Sequence, residues 1–392
     1  MKPLLLSAAL SLSTVFSAIA YADGLCDKNH YILGGNCEAV AVNHPVGKVG
    51  SVATDWQGNV YFSAPHVVFR LDASGRLTRV AGGLAPGDSG DGGPAVVADL
   101  NIPYDDYPEI RRDSIDFYAL VGGLATDEEG NLYIADAYNN RVRKIDTHGQ
   151  IRTVLDSDNV AWPQGVAVGT DGALYVSSQW GTLVKMTKEG VVSRLASPNC
   201  GPSFAEPGLC VPEQIAVDAN GNVFVPDGYC RVRKVGPAGS VTTVAGREQP
   251  DGHGFAFTCG YGDDGNEALG TALGTIPYAV AVDAHGTLYI ADTGNNCVRK
   301  VDPEGIITRF AGVCESYYAR LNQPPIPRFG GDGGPALDAR LDTPSGIAVD
   351  LAGNVFIADT GNQRVRKVSP DGRISTVAGN GESVGEKWLR RK

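Results

Sequence analysis

From Val49 onward the chain alternates short apolar runs with polar turns, and within each run the residue period is close to two. The lines "VGSVATDWQGNVYFSA", "VGGLATDEEGNLYIAD", "PQGVAVGTDGALYVSS", "PEQIAVDANGNVFVPD", "PYAVAVDAHGTLYIAD" and "PSGIAVDLAGNVFIAD" share one pattern. β-Branched and aromatic residues fill the apolar positions and no stretch has a convincing helical period, so the runs predict strands. Six units result. Each has a first-turn glycine (Gly58, Gly130, Gly172, Gly221, Gly286, Gly353) and a second-turn glycine (Gly75, Gly149, Gly190, Gly239, Gly305, Gly372). First and second glycines are 17, 19, 18, 18, 19 and 19 residues apart, whereas second to next first measures 55, 23, 31, 47 and 48. The hairpin core is therefore fixed in length, and nearly all variation lies between units.

Each unit reads as four strands, a to d; in the fifth these are "AVAVD", "TLYIAD", "CVRKVD" and "IITRFAG". A small twisted sheet cannot bury both faces alone, but six packed around an axis can. The fold class is all-β, a six-bladed β-propeller of four-stranded antiparallel blades near 46–82, 120–156, 162–197, 212–246, 276–312 and 343–379. A β-sandwich predicts no such set of like units. In strand c, "RVRKI" places Val142 and Ile145 on opposite sides unless a bulge intervenes, with Arg and Lys stems covering apolar surface and their heads in water. Strand alternation puts the a–b and c–d turns at one end and the b–c turns with the d–a connections at the other. All long insertions are d–a connections, so they are expected to crowd one face.

The line "G-N-L-Y-I-A-D-x-x-N-N-R-V-R-K", matched best at 130–144, 286–300 and 353–367, resembles the signature of NHL repeats. "GDSGDGGPAVVADL" (87–100) and "GGDGGPALDARL" (330–341) resemble loops that accompany such repeats in exported bacterial proteins. The resemblance covers about residues 46–380. It implies the propeller fold and, most often, a binding platform. It also admits metal-dependent lyases or lactonases with His, Asp or Glu lining the axial channel. The first and third units depart from the pattern, with "SAPHVVFR" and "SSQWGTLVKM" at the turn.

The amino terminus, "MKPLLLSAALSLSTVFSAIAYAD", has a basic start, an apolar stretch, then Ala18, Ala20 and Ala22. This predicts a signal peptide over 1–22 cleaved after Ala22, hence a secreted or periplasmic protein without membrane insertion. Eight cysteines fit that compartment. The local pairs Cys26–Cys37, Cys200–Cys210, Cys230–Cys259 and Cys297–Cys314 are expected, though spacing leaves other pairings open. Cys297 stands where the second unit has Arg141, and a bond to Cys314 is the simplest reason. Residues 23–45 are expected to help ring closure, "HYILGGN" (30–36) resembling the strand-d ending "STVAGN", and 381–392 form a basic tail. A net charge of -11 argues against a nucleic-acid partner.

Loops on a rigid scaffold commonly carry function, so the insertion face is predicted to bind an extracellular protein or glycan. Tyr104, Tyr107, Tyr118, Tyr261, Tyr317 and Tyr318 offer amphipathic contact area there, or pack their own loops. The turn residues Asp136, Asn139, Asp292, Asn295, Asp359 and Asn362 share that face. Their first expected role is to cap their own backbone, with the Asp also meeting an Arg of strand c. Asp88, Asp91, Asp263, Asp264 and Asp332 are calcium candidates, although none fits the EF-hand loop and acidic Gly-rich turns are commoner as turns. No cofactor is required. His148 and His285 fall in tight turns of the far face, His30 and His44 precede the first blade, and His66 and His253 lie in unrelated loops. With no H-E-x-x-H, G-x-S-x-G or P-loop, no catalytic residue is nominated and the reading leans against an enzyme. The alternative is a metal-dependent hydrolase or lyase, lactonase-like or amidating-lyase-like, using the central channel.

Overall fold

The computed structural model describes residues 39–83, 85–102, 122–198, 208–228, 230–247, 259–274, 277–315 and 328–382. The predicted signal peptide, "HYILGGN" and all of the expected 381–392 tail beyond residue 382 lie outside them.

Six antiparallel sheets each take their a-to-d strands from one uninterrupted run of chain. Blade 1 comprises Val52–Thr54, Val60–Ala64, Val67–Leu71 and Arg76–Gly82. Blade 2 comprises Leu124–Thr126, Leu132–Asp136, Arg141–Ile145 and Ile151–Leu155. Blade 3 comprises Pro163–Val168, Leu174–Ser178, Thr182–Met186 and Val192–Ala196. Blade 4 comprises Ala216–Val217, Val223–Asp227, Arg231–Val235 and Val241–Gly246. Blade 5 comprises Ala279–Val282, Leu288–Asp292, Cys297–Val301 and Ile306–Ala311. Blade 6 comprises Pro344–Val349, Val355–Asp359, Arg364–Val368 and Ile374–Ala378.

Strand a of each blade packs against strand a of the next, and that of blade 6 against that of blade 1, so the ring closes. One hydrophobic cluster fills each of the six gaps between neighbouring blades. Both faces of a blade are thus dry, which is why all five residues of Leu132–Asp136 are buried instead of alternating. Strands c and d shift register at the same step in every blade, for example between Val142 and Arg143. Asp127 Oδ1 accepts from the Glu129 and Asn131 amides, and Gly130 closes that turn at φ 87°, where a Cβ would be strained.

Among the described residues, closure uses no shared strand. The Gly379 amide donates to Ala41 O at 3.0 Å, and the Thr360 and Ser345 hydroxyls donate to Val49 O (2.6 Å) and Gly50 O (2.7 Å).

Two expectations need correction. First, the long connections are not confined to one face. Before blades 2, 5 and 6 the chain descends the outer wall, pairs with strand d, and reaches the c–d turn at the far end, where Ala95, Ala268 and Ala336 amides donate to Gly149, Gly305 and Gly372 carbonyls, each at 2.8 Å. Ala39–Val40 runs beside strand d of blade 1 in the same way. The outer strand of a blade has a row of unmet backbone groups, and a long connection has the slack to meet them. Second, the inner guanidinium of "RVRK" does not reach water. Arg143, Arg299 and Arg366 are fully buried, because the descending segment covers them and brings Asp91 (2.9 Å), Asp264 (3.0 Å) and Asp332 (2.8 Å) as their partners.

Candidate binding face

The repeated turn clamps the insertions. Asp136, Asp292 and Asp359 end strand b, a three-residue 3-10 turn follows, and Asn140, Asn296 or Gln363 closes it in the left-handed region. Oδ1 of each Asp accepts from the amide of the returning insertion: Asn101 at 2.7 Å, Gly274 at 2.7 Å and Asp342 at 2.8 Å. Asn139, Asn295 and Asn362 donate from Nδ2 to the departing end of the same insertion, at Gly87 O (2.7 Å), Gly260 O (2.8 Å) and Arg328 O (2.8 Å). The same Nδ2 atoms bond Oδ2 of their own Asp. One Asp and one Asn therefore hold both feet of a loop. The signature recurs at blades 2, 5 and 6, where a long insertion must be held, and fails at blade 3, which follows the short connection Asp156–Trp162.

These candidates consequently sit beneath the face: Asp136, Asp292 and Asp359 have no exposed surface. Burial pushes the carboxyls of Asp292 and Asp359 up to about 6, against the opposing pull of their hydrogen bonds and of Arg299 and Arg366. The Asp does meet strand c, through Arg141 (3.2 Å), Arg231 (2.8 Å, from Asp227) and Arg366 (3.1 Å). Of the calcium candidates, Asp91, Asp264 and Asp332 face the buried guanidiniums, while Asp88 and Asp263 are exposed. Among the described residues, no three His, Cys, Asp or Glu side chains gather as a metal site.

Tyr261 lies over the Arg299 guanidinium, 4.6 Å from ring centroid to Cζ. Tyr104, Tyr107, Tyr118, Tyr317, Tyr318 and His253 lie outside the described residues. Cys297–Cys314 and Cys230–Cys259 are formed, with Cα separations of 4.8 and 5.5 Å. Cys210 is disulfide-bonded, while Cys200, Cys26 and Cys37 lie outside the described residues.

Three aromatics that sequence reasoning passed over share this face. Tyr138, in the b–c turn of blade 2, is 42% exposed and meets Trp162 edge-on, with centroids 5.4 Å apart at 82°. Trp162 has φ 52°, and its amide donates to Asn140 Oδ1 at 2.9 Å. Its carbonyl accepts from Gln179 at 3.1 Å, and the next residue, Trp180, is 59% exposed. The available signal was the third unit's own departure, "SSQWG".

At the axis, Gln214 of blade 4 crosses to blades 1 and 6. It accepts from Ser51 Oγ at 2.7 Å and donates to Gly50 O (3.2 Å) and Ser345 O (3.1 Å). The preceding Glu213 is 2% exposed, and its Oε2 has no hydrogen-bond partner among the described residues. Burial alone pushes this carboxyl well above its ordinary 4.5. A raised value in the folded state means that Glu213 favours folding below about 4.5 and that this stability is lost as pH rises through the folded value. Glu213→Gln should match the wild type most closely at pH 4 and exceed its stability at pH 8 in urea titrations; an equal difference at both pH values would refute the assignment.

A family model described as the Teneurin NHL domain matches residues 323–390. The chain is 26% identical to Teneurin-1 of Mus musculus over 288 residues, covering 71% of this chain and 8% of the relative. It is 30% identical to Teneurin-4 of Homo sapiens over 292 residues, covering 62% and 10%. The chain thus spans about a tenth or less of these relatives' length. A solved structure of a protein of unknown function from Bacteroides thetaiotaomicron superposes with a TM-score of 0.60 at 17% identity, covering 85% of this chain and 72% of that one, a likeness of fold alone. No helix among the described residues is long and apolar enough to cross a membrane. The repeated blade line, the six blades it builds and these likenesses fit the NHL-repeat β-propeller family.

Proposed function

We propose that the protein is an exported binding scaffold whose insertion face recognises a protein partner, with Tyr138, Trp162 and Trp180 at the contact. The observation that carries this reading is Trp162. A bulky side chain in the left-handed region costs about 1–3 kcal/mol and persists where its surroundings impose it, often at functional sites. Here Asn140 holds the backbone and Tyr138 braces the ring. Tyr138 and Trp180 are exposed and Trp162 is half-buried beside them, and Tyr and Trp are enriched among the residues that dominate binding energies. Gln214 bridges blade 4 to blades 1 and 6 across the axis, which supports binding over chemistry in a central channel.

The test is paired capture from the protein's native surroundings by wild type and by a Trp162→Ala, Trp180→Ala variant. The variant should lose the partner, with affinity down about thirtyfold per truncated anchor and an unchanged thermal midpoint. Identical capture by both proteins would reject the reading, and capture that survives protease digestion of the extract would assign a glycan instead.

A further inference from the structure

Strand d begins in the same register in every blade. Leu77, Ile151, Val192, Ile307 and Ile374 stand opposite Leu71, Ile145, Met186, Val301 and Val368 of strand c. In blades 2 and 6 the backbone of this residue faces outward and is met from both sides. The Ile151 amide donates to Gly93 O (3.0 Å) and its carbonyl accepts from Gly92 (2.8 Å). Ile374 does the same with Gly334 (3.0 Å) and Gly333 (2.8 Å). In blade 5, Ile307 O accepts from Gly265 at 2.8 Å, and in blade 1 Ala39 lies opposite Leu77.

The covering segment ends each time on an alanine whose amide donates to the c–d glycine carbonyl: Ala41, Ala95, Ala268 and Ala336, all 1% exposed. Under this cover Leu77, Ile151, Ile307 and Ile374 are 0% exposed. Val192 of blade 3 occupies the same place and is 37% exposed, with Val191 beside it at 62%. The cause is chain length. Asp156–Trp162 runs directly from the outer strand of blade 2 to the axis at blade 3, with no slack for a pass along the wall. In blade 4 the equivalent Val241 is half-buried.

We propose that strand d of blade 3 is a docking edge for an extended segment of a partner protein. That segment would add to Val192–Ala196 as an antiparallel fifth strand. Its backbone would donate to the Val192 and Gly190 carbonyls and accept from the Val192 amide, with a small residue such as alanine opposite Gly190. The chain itself sets the chemistry of the occupant. Where strand c carries Arg143, Arg299 or Arg366, the covering segment supplies Asp. Blade 3 has Val184 at that place, 2% exposed, so an uncharged segment fits and an acidic one does not. This edge is on the outer wall and does not depend on the aromatic face.

The test measures fluorescence anisotropy of labelled synthetic peptides with the full mature chain. One peptide, Gln-Ala-Val-Ala-Val-Asn, copies residues 38–43 with glutamine in place of Glu38. A second, Asp-Gly-Gly-Pro-Ala-Val, copies residues 91–96. A third is the first with its second alanine N-methylated, which removes the donor to Gly190 O. The first should bind saturably, and the other two at least about tenfold more weakly. Val192→Pro, tolerated where the amide of an edge strand faces out, and Val192→Lys should weaken the first peptide to the same degree with the thermal midpoint preserved. Absence of saturation, or equal binding by the N-methylated peptide or by both variants, overturns the proposal. Self-association that Val192→Lys abolishes, without peptide binding, overturns it in favour of an edge between copies of this chain.

Discussion

Arg366→Ala is expected to lower the stability of the protein by about 3–5 kcal/mol, the cost of orphaning a buried charge. The Arg366 guanidinium is wholly enclosed. It donates to Asp359 Oδ2 at 3.1 Å, Asp332 Oδ1 at 2.8 Å and Gly330 O at 3.2 Å, under the Phe329 ring. Its removal frees the descending segment before blade 6 and leaves Asp359 buried with Asn362 and the Asp342 amide. That carboxyl already stands at about 6 with the arginine present. Without the guanidinium it is raised further, so protonation repairs part of the damage. The deficit should therefore be largest at pH 8, shrink as pH falls to about 6, and change no further below it. Urea denaturation at both pH values checks this. A loss under about 1 kcal/mol at pH 8, the range of exposed pairs, would mean that the network contributes no more than a surface contact.

The double variant Cys297→Ala, Cys314→Ala should lose about 3 kcal/mol, the chain-entropy expectation for a crosslink spanning 17 residues. The bond joins the first residue of strand c in blade 5 to the start of the connection leading to blade 6. Cys297 is fully buried, so alanine there adds only a small packing loss. A denaturation midpoint equal to that of the wild type would reject this value. So would a free Cys297 thiol found by mass mapping of unreduced peptides.

The architecture was legible because its signals are local. Turn glycines at φ > 0 and a fixed hairpin length mark each blade, and a sheet with two dry faces has little choice but a ring. Cys297 in an arginine's place pointed to its bond with Cys314. The role of the Asp and Asn in "ADTGNN" was half legible. Capping of their own turn follows from residue type, but the amides they hold belong to segments such as Asn101 and Asp342 whose path no local pattern gives. The burial of Arg143, Arg299 and Arg366 was misread for the same reason. An exposed stem is the default for arginine, and only the covering strand with its Asp overrides that default. The aromatic face was missed at Trp162 and Trp180 because repeats draw attention to what recurs, whereas these residues sit in the unit that breaks the rule. Gln214 was invisible in advance because its partners, Ser51 and Ser345, lie across the axis.

The join between blades 6 and 1 has a mechanical consequence. Elsewhere load would have to unzip hydrogen-bonded ladders, but at this seam, among the described residues, the first and last wedges are held by the Gly379 amide, the Asn380 side-chain amide and the Thr54, Ser345 and Thr360 hydroxyls, resting on single carbonyls, together with dry packing around Phe62 and Phe356. Tension applied through the two ends of the chain meets that line first, so the disc parts like an unclasped bracelet while each wedge stays whole.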